Sequence, residues 1–514
     1  MNKTLFYRLL VLNLTITLLF NIAFPLQAQY SNKVWCFGDS AGVIFTNPVT
    51  YFTISEAYLT ASVSIADHNN NLLFYGSSTN ATAYNSSLAQ RGKLINRSHQ
   101  KMQNGDSLIC LGWYHDILIV PKSMLDSTFY VFVAGVSGPN YGLYSNVVDL
   151  KMQGGLGEVI QKNYLLDSAA MFDGLMAVRN GNGKDWWLVT RKWNNTTLIY
   201  DNSFFLYHLD SIGITPVSIQ NLGSLRRTRD GDLTFNSDGS KMALCDWEGL
   251  IELYDFDRCT GQLSSPVNIE PSNPTGGFYF SIAFSSNNRF LYLLDFKNTI
   301  SQNYIYQFDL NSTNIQGSKT LIGIIPDSAS PVMMKLAPDN KIYISSWSSL
   351  PGNSYPYVSG YYNTVNSNLT VINYPDSLGA ACDFQLFSFP LGGHRTYRGL
   401  PHNPNYEMGA WVGSPCDTLA VGVENLQPPQ QAFFQAWYNS EWNMIHVNAS
   451  KLKGRTGSLR LFDMEGRLVY EKKIEVIAGG YVTGEISMNA VANGVYLVNL
   501  ITDSESVSSK LVKF

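Results

Sequence analysis

The residues with a chance of doing chemistry are scattered along this chain. His115 and Asp116 sit together just before an apolar strand, where a strand-entry hydrogen bond is the simplest use for them. His394, Arg395, Arg398 and His402 share the stretch "GGHRTYRGLPHNP", which suits a structural loop or one lining a face of the fold. Asp67, Asn69 and Asn71 in "DHNNN" place oxygen ligands at alternate positions, as calcium loops do. The glycine and closing glutamate of an EF-hand are missing, and turn chemistry explains the same residues. Asp255 and Asp257 lie at a strand end that recurs along the chain, and repetition argues for a turn, since a catalytic pair is unique. There is no HExxH, no Walker loop and no GxSxG elbow. No catalytic residue is therefore assigned, and no cofactor or metal is expected.

Charge narrows the partners. The formal net charge is −4, and only 14% of residues are charged, against about 25% in typical proteins. Arg226, Arg227 and Arg229 form the one basic cluster and are followed by Asp230 and Asp232. That pattern suits local ion pairs in a solvated loop, or the rim of an anion site. With no basic stripe, nucleic acid is not an expected partner.

The chain opens with Lys3 and Arg8, an apolar run from Leu9 to Phe24, then Pro25 and Ala28. This is the order of a secretory signal, so residues 1–29 are read as a signal peptide cleaved near Ala28 or Gln29. No other stretch is long and apolar enough for a bilayer, so no transmembrane span is expected in the mature chain. Export makes disulfides plausible. The six cysteines form no CxxC pair and none sits with histidine at zinc-like spacing. Cys245 and Cys259 flank two strands around a turn, and Cys382 and Cys416 bracket a Gly/Pro/His-rich segment. Those are the two expected pairings.

Positioning falls to β-strands. The chain holds 30 Tyr, 27 Phe and 41 Gly among many Asn and Ser, a balance of pleated-sheet and turn formers. "LTFNSDGSKMALCD", "IAFSSNNRFLYLLD" and "MKLAPDNKIYISSW" superimpose as strand, polar turn, strand. Related units begin at Val63, Ile117 and Met176, and a third strand follows in "IELYDFD", "YIYQFDL", "SFFLYHLD" and "SNLTVINYPD". Spacings of roughly 50 residues mark propellers or solenoids. Small sheets bury both faces when stacked radially. The expectation is an all-β chain with a β-propeller over residues 30–416. Seven blades are favoured and six are the alternative. "KVWCFGDSAGVIF" and "ACDFQLFSFP" would together complete the seventh blade or latch the ring. The pattern resembles the WD-repeat-like and YVTN-like propellers of secreted Bacteroidetes proteins, carried by "VWCFGDSAGVIF", "YDFDRCTG" and "RGLPHNP". That resemblance implies a scaffold and no particular function.

Residues 417–432 read as a Pro/Gln-containing linker, and 433–514 as a small immunoglobulin-like β-sandwich with hairpin turns at Asp463–Gly466 and Asn493-Gly494. "SLRLFDMEGRLV", "ANGVYLVNL" and the terminal "KLVKF" resemble the C-terminal sorting domain of the type IX (Por) secretion system. The resemblance implies a sorting signal at Gly494, Tyr496, Lys510 and Lys513, recognition by the type IX machinery, and a secreted or outer-membrane surface location. The leading expectation is a non-enzymatic module that binds a protein or glycan. The alternatives are a hydrolase or lyase with its site in the propeller channel, and a structural adhesion component.

Overall fold

The computed structural model describes residues 30–55, 59–79, 92–110, 114–122, 127–136, 141–193, 201–226, 228, 230–271, 278–296, 302–348, 361–417, 433–439, 443–450, 452–454, 456–476, 482–504 and 506–513. The signal-peptide reading and most of the linker fall outside these residues, as do Arg227 and Arg229. The chain divides into two units, Met1–Ala420 and Val421–Phe514. Among the described residues, no helix is long and apolar enough to cross a membrane.

Among the described residues, the first unit contains seven antiparallel sheets. Blade 1 is Leu59–Asp67, Leu72–Thr79 and Gly92–Asn96, with Tyr30–Ser31 beside its first strand. Blade 2 is Ile117–Pro121, Thr128–Gly135, Gly142–Asp149 and Glu158–Asp167. Blade 3 is Met176–Arg179, Trp186–Arg191, Asp201–Leu209 and Ile214–Arg226. Blade 4 is Gly231–Phe235, Lys241–Asp246, Ile251–Asp257 and Gln262–Glu270. Blade 5 is Phe278–Phe284, Phe290–Phe296, Gln302–Asp309 and Thr320–Pro326. Blade 6 is Ala329–Leu336, Ile342–Ser348, Asn368–Ile372 and Phe384–Pro390. Blade 7 is Val34–Phe37, Ala41–Ile44 and Thr50–Thr53.

The repeated polar turn has one geometry. Asn70, Gly183, Gly239, Asn288 and Asn340 occupy matching places between the first two strands of their blades, all with positive φ. Each donates its N–H to the carbonyl three residues earlier. Asn and Gly reach that left-handed region at low cost, which is why the repeats carry them there. In blade 1 the Asp67 carboxylate caps this turn. Asp67 Oδ1 accepts the N–H groups of Asn69 and Asn71 at 2.9 Å, and its Oδ2 accepts the Asn71 amide.

Blade 7 closes the ring by strand alternation, because successive side chains point to opposite faces. Trp35 and Phe37 pack with Met333, Tyr343 and Leu369 of blade 6. Cys36, between them, packs with Tyr75 and Ile95 of blade 1. "KVWCFGDSAGVIF" therefore builds the seventh blade as expected. "ACDFQLFSFP" does not join it: its strand, Phe384–Pro390, is the fourth of blade 6.

The cysteine pairings need correction. Cys259 is bonded to Cys416. Cys245 and Cys382 are buried free thiols, as are Cys36 and Cys110. Cys245 lies in the second strand of blade 4 facing the blade 4–blade 5 core, while Cys259 sits in the turn beyond the third strand. Closeness in sequence placed them on different sides of the blade.

The second unit pairs a three-stranded sheet (Phe433–Asn439, Met444–Ser450, Val482–Ser487) with a four-stranded one (Thr456–Asp463, Leu468–Glu475, Gly494–Thr502, Ser506–Lys513). Ile445, Val447, Leu459, Leu461, Ile486, Val498 and Leu500 fill the core between them.

Candidate functional site

The first strands of the blades line the centre of the ring, and the chain's own later segment bonds to several of them. After blade 6, residues 391–416 leave the sheets and run along the axis. Arg395 pairs with Asp39 of blade 7, and Ser345 of blade 6 donates to the Arg398 carbonyl. His402 donates its N–H to Ser62 O of blade 1 at 2.7 Å, and Asn403 Oδ1 accepts the Ser64 N–H at 2.9 Å. Tyr406 reaches Ile119 O of blade 2 at 2.9 Å. Trp411 N–H meets Gly181 O in the first turn of blade 3, and Cys416 ends the run at Cys259, in the turn before the last strand of blade 4. "GGHRTYRGLPHNP" is thus an axial strap, with its apolar anchors Leu400 and Tyr406 fully buried.

The strap completes a buried polar cluster drawn from several blades. His115 Nε2 of blade 2 lies 3.5 Å from Asp232 Oδ1 of blade 4. The rings of His115 and His402 meet edge to face at 4.8 Å. His402 Nε2 is 2.6 Å from Leu175 O, so that nitrogen carries the proton. Burial holds His115 below the usual histidine range and His402 well below it. Burial also holds Lys335 of blade 6 at about 8. The carboxylates here have structural work. Asp232 Oδ2 accepts the Ser281 hydroxyl at 2.8 Å and the Ile282 N–H at 3.1 Å, stitching blade 4 to blade 5. Asp173 accepts the N–H groups of Tyr114 and His115 at 3.0 and 3.3 Å, and Asp116 accepts the Ser78 hydroxyl at 3.1 Å. Among the described residues no cluster of His, Cys, Asp and Glu suits a metal ion.

A cavity of about 290 Å³ opens beside this cluster towards the end that carries the tight turns. Asp232, Lys335, His402 and Asn403 line it, and His115 does not. The opposite end carries longer connections, such as the one that includes residues 361–367. Trp247 there meets Phe278 at 4.4 Å and Phe280 at 4.5 Å, and Phe280 meets Phe296 at 5.2 Å and Tyr114 at 5.8 Å. Arg398 lies over Trp347 at 5.2 Å and Tyr397 at 5.4 Å, and Arg395 over the exposed Tyr362 at 4.9 Å.

Several sequence expectations resolve here. Asp255 pairs with Lys241, and Asp257 caps the turn at Cys259, both as parts of blade 4. Arg226 is no solvated loop residue: it is buried, with two bonds to Asp246 at 2.6 and 2.8 Å. His394 lies half-buried at the start of the strap, apart from the cluster that holds His402. In the sequence Asp232 reads only as a local partner of the Arg226 cluster and Lys335 is not singled out, although a charged residue inside an apolar strand ("GDLTF", "MKLAPD") is a usable signal.

In the second unit, Tyr496 is buried and donates to Ala492 O at 2.7 Å. Lys513 is also buried, its ammonium donating to Met488 O and Val491 O at 2.8 and 2.6 Å. Gly494 pairs with Lys513 across the last hairpin. Lys510 is exposed and borders a surface hollow with Asp463 and Asn499.

Residues 440–513 match the family model described as the secretion system C-terminal sorting domain. The second unit is therefore a type IX sorting domain, and the chain is a secreted or cell-surface protein carrying a β-propeller. Comparison with curated proteins finds no match. Among solved structures, PorZ, an essential surface component of the type IX secretion system of Porphyromonas gingivalis, aligns with 11% identity and a TM-score of 0.35. The alignment covers 92% of this chain and 62% of that one. A crystal structure from Bacteroides fragilis aligns with 10% identity and a TM-score of 0.44, over 71% of this chain and 96% of that one. Hydrazine synthase of Kuenenia stuttgartiensis aligns with 13% identity and a TM-score of 0.37, over 63% and 95%.

Proposed function

We propose that the exported propeller is a non-catalytic module that binds a glycan or protein on the face carrying its longer connections. The observation that carries this is the aromatic and arginine surface there, built by Trp247, Phe278, Phe280 and Phe296 with Arg398 against Trp347. Half-buried rings and a stacked guanidinium offer large contact area at low entropic cost, the pattern of binding hot spots. The test is to probe glycan and peptide arrays with the full-length protein. Trp247→Ala and Trp347→Ala should each weaken the best hit at least tenfold, about 1.4 kcal/mol. Hits that bind both variants unchanged would move the site elsewhere.

One observation favours a hydrolase or lyase instead: His115, Asp232, Lys335 and His402 converge from three blades and the strap. That reading requires turnover of a bound ligand, abolished in Asp232→Asn and His402→Gln.

For the address, the reading is that residues 1–29 and the sorting domain are removed, leaving a mature protein that begins near Gln29 or Tyr30 and ends before Phe433. Mass spectrometry of the extracellular protein checks both ends. The signal residues divide by role. Lys513 and Tyr496 hold the hairpin, and Lys510 is presented to the machinery. Lys513→Met leaves two carbonyls without their donor and should lower sandwich stability by about 1–3 kcal/mol. Lys510→Ala should change it by less than about 0.5 kcal/mol and reduce export all the same. Urea unfolding and secretion assays on the same variants separate the two roles.

A further inference from the structure

Lys335 is the unusual cation of this molecule. The residue is half-buried, and its one hydrogen bond among the described residues is to a carbonyl, Asn403 O at 2.9 Å, with no carboxylate at ion-pair distance. An ammonium has three donors, so two remain. A buried charge without a counter-charge is costly and is retained where something else compensates it. The neighbours share the imbalance. Asn403 Nδ2 and Trp35 Nε1 are buried donors without an acceptor among the described residues. Trp35, Lys335 and Asn403 all line the same cavity of about 290 Å³. The acceptors around them are committed: Asp232 Oδ2 holds Ser281 and Ile282, Asn403 Oδ1 holds Ser64, and Glu407 at the rim accepts from Ser31. The pocket thus offers two unpaired hydrogen-bond donors and one positive charge, with the Asp232 carboxylate engaged by Ser281, Ile282 and His115. Its volume lies near the lower limit for small-molecule sites, about 300 Å³.

We propose that this cavity binds a small carboxylate, seated on Lys335, Asn403 and Trp35. The site is separate from the aromatic face and stands whether or not that face binds a ligand. Two sources share the chemistry: free amino acids and sugar acids. Glu407 also lines the cavity and offers a negative charge to an amino acid's ammonium, which a sugar acid lacks, and so favours amino acids.

The experiment is titration calorimetry of the full-length protein with a panel of L-amino acids, with glucuronate and galacturonate, and with glucose as the uncharged counterpart. The expected result is saturable binding of one carboxylate series and none of glucose. Asn403→Asp keeps the acceptor for Ser64 and replaces the free donor by a negative oxygen; it should weaken binding at least tenfold. Lys335→Met should do the same. It removes a charge that burial already disfavours, so it should not cost the fold, and the melting temperature checks this. Affinity should also fall between pH 7 and 9. Lys335 sheds its proton near pH 8, while His115 and His402, which face it with Asp232, are already neutral there. Binding of amino acids or of sugar acids alone supports the site and names its source. Silence from both series, equal binding of glucose, or undiminished binding in both variants overturns it.

Discussion

Replacing Arg226 with Met is expected to lower propeller stability by about 3–5 kcal/mol at neutral pH, the usual cost of stranding one member of a buried ion pair. Arg226 ends the last strand of blade 3, and Asp246 ends the second strand of blade 4. Both are buried, with two charge-assisted bonds between them and a third from Arg226 to Glu248 at 3.2 Å. Asp246 also accepts the N–H groups of Glu248 and Leu250, so the pair joins two blades and orders a turn. Burial already lifts the Asp246 carboxyl above its ordinary value against the pull of Arg226. Without the guanidinium that lift grows. A carboxyl whose folded pKa is raised costs stability above that pKa and ceases to cost it below the unfolded value. The deficit of Arg226→Met should therefore shrink as pH falls from 7 towards 4. Urea unfolding across that range measures it. A deficit under about 1 kcal/mol, or one flat with pH, would mean that the pair contributes little.

Cys416→Ser should cost about 2–5 kcal/mol, because the bond to Cys259 closes a loop spanning 157 residues and chain-entropy estimates approach 5 kcal/mol at such lengths. The bond also anchors the far end of the strap, so its loss frees the axial segment as well as the unfolded chain. Thermal unfolding with and without reductant gives the size of the effect. Cys245→Ser and Cys382→Ser should keep the full response to reductant, since those thiols are free. Loss of that response in either variant would restore the pairing first expected from sequence.

The six central repeats were legible because each advertises itself locally as two apolar strands around a polar turn, and in five of them the turn's Asn or Gly adopts positive φ. The sandwich was legible for the same reason, with its hairpin turns and its terminal strand. What stayed hidden depends on distant partners. Residues 391–416 show little strand pattern because their bonds go to backbone groups of several blades, such as Ser62, Ile119 and Gly181. Arg226 looked solvated because its nearest acidic neighbours in sequence are Asp230 and Asp232, whereas folding delivers Asp246. The channel cluster was half seen. His115 and His402 stood out individually, but nothing local announces that Asp232 and Lys335 meet them.

The axial strap also dictates an order of assembly. Its bonds join residues as far apart as 376 positions in sequence, so they are among the last for which loop closure is repaid. Sheets can pair before the ring is pierced, but Cys416 cannot reach Cys259 until the segment before it has settled along the axis. Thiol disappearance during refolding is therefore a clock for threading. Trapping those two cysteines at intervals with an alkylating reagent would time the closing step of the molecule directly.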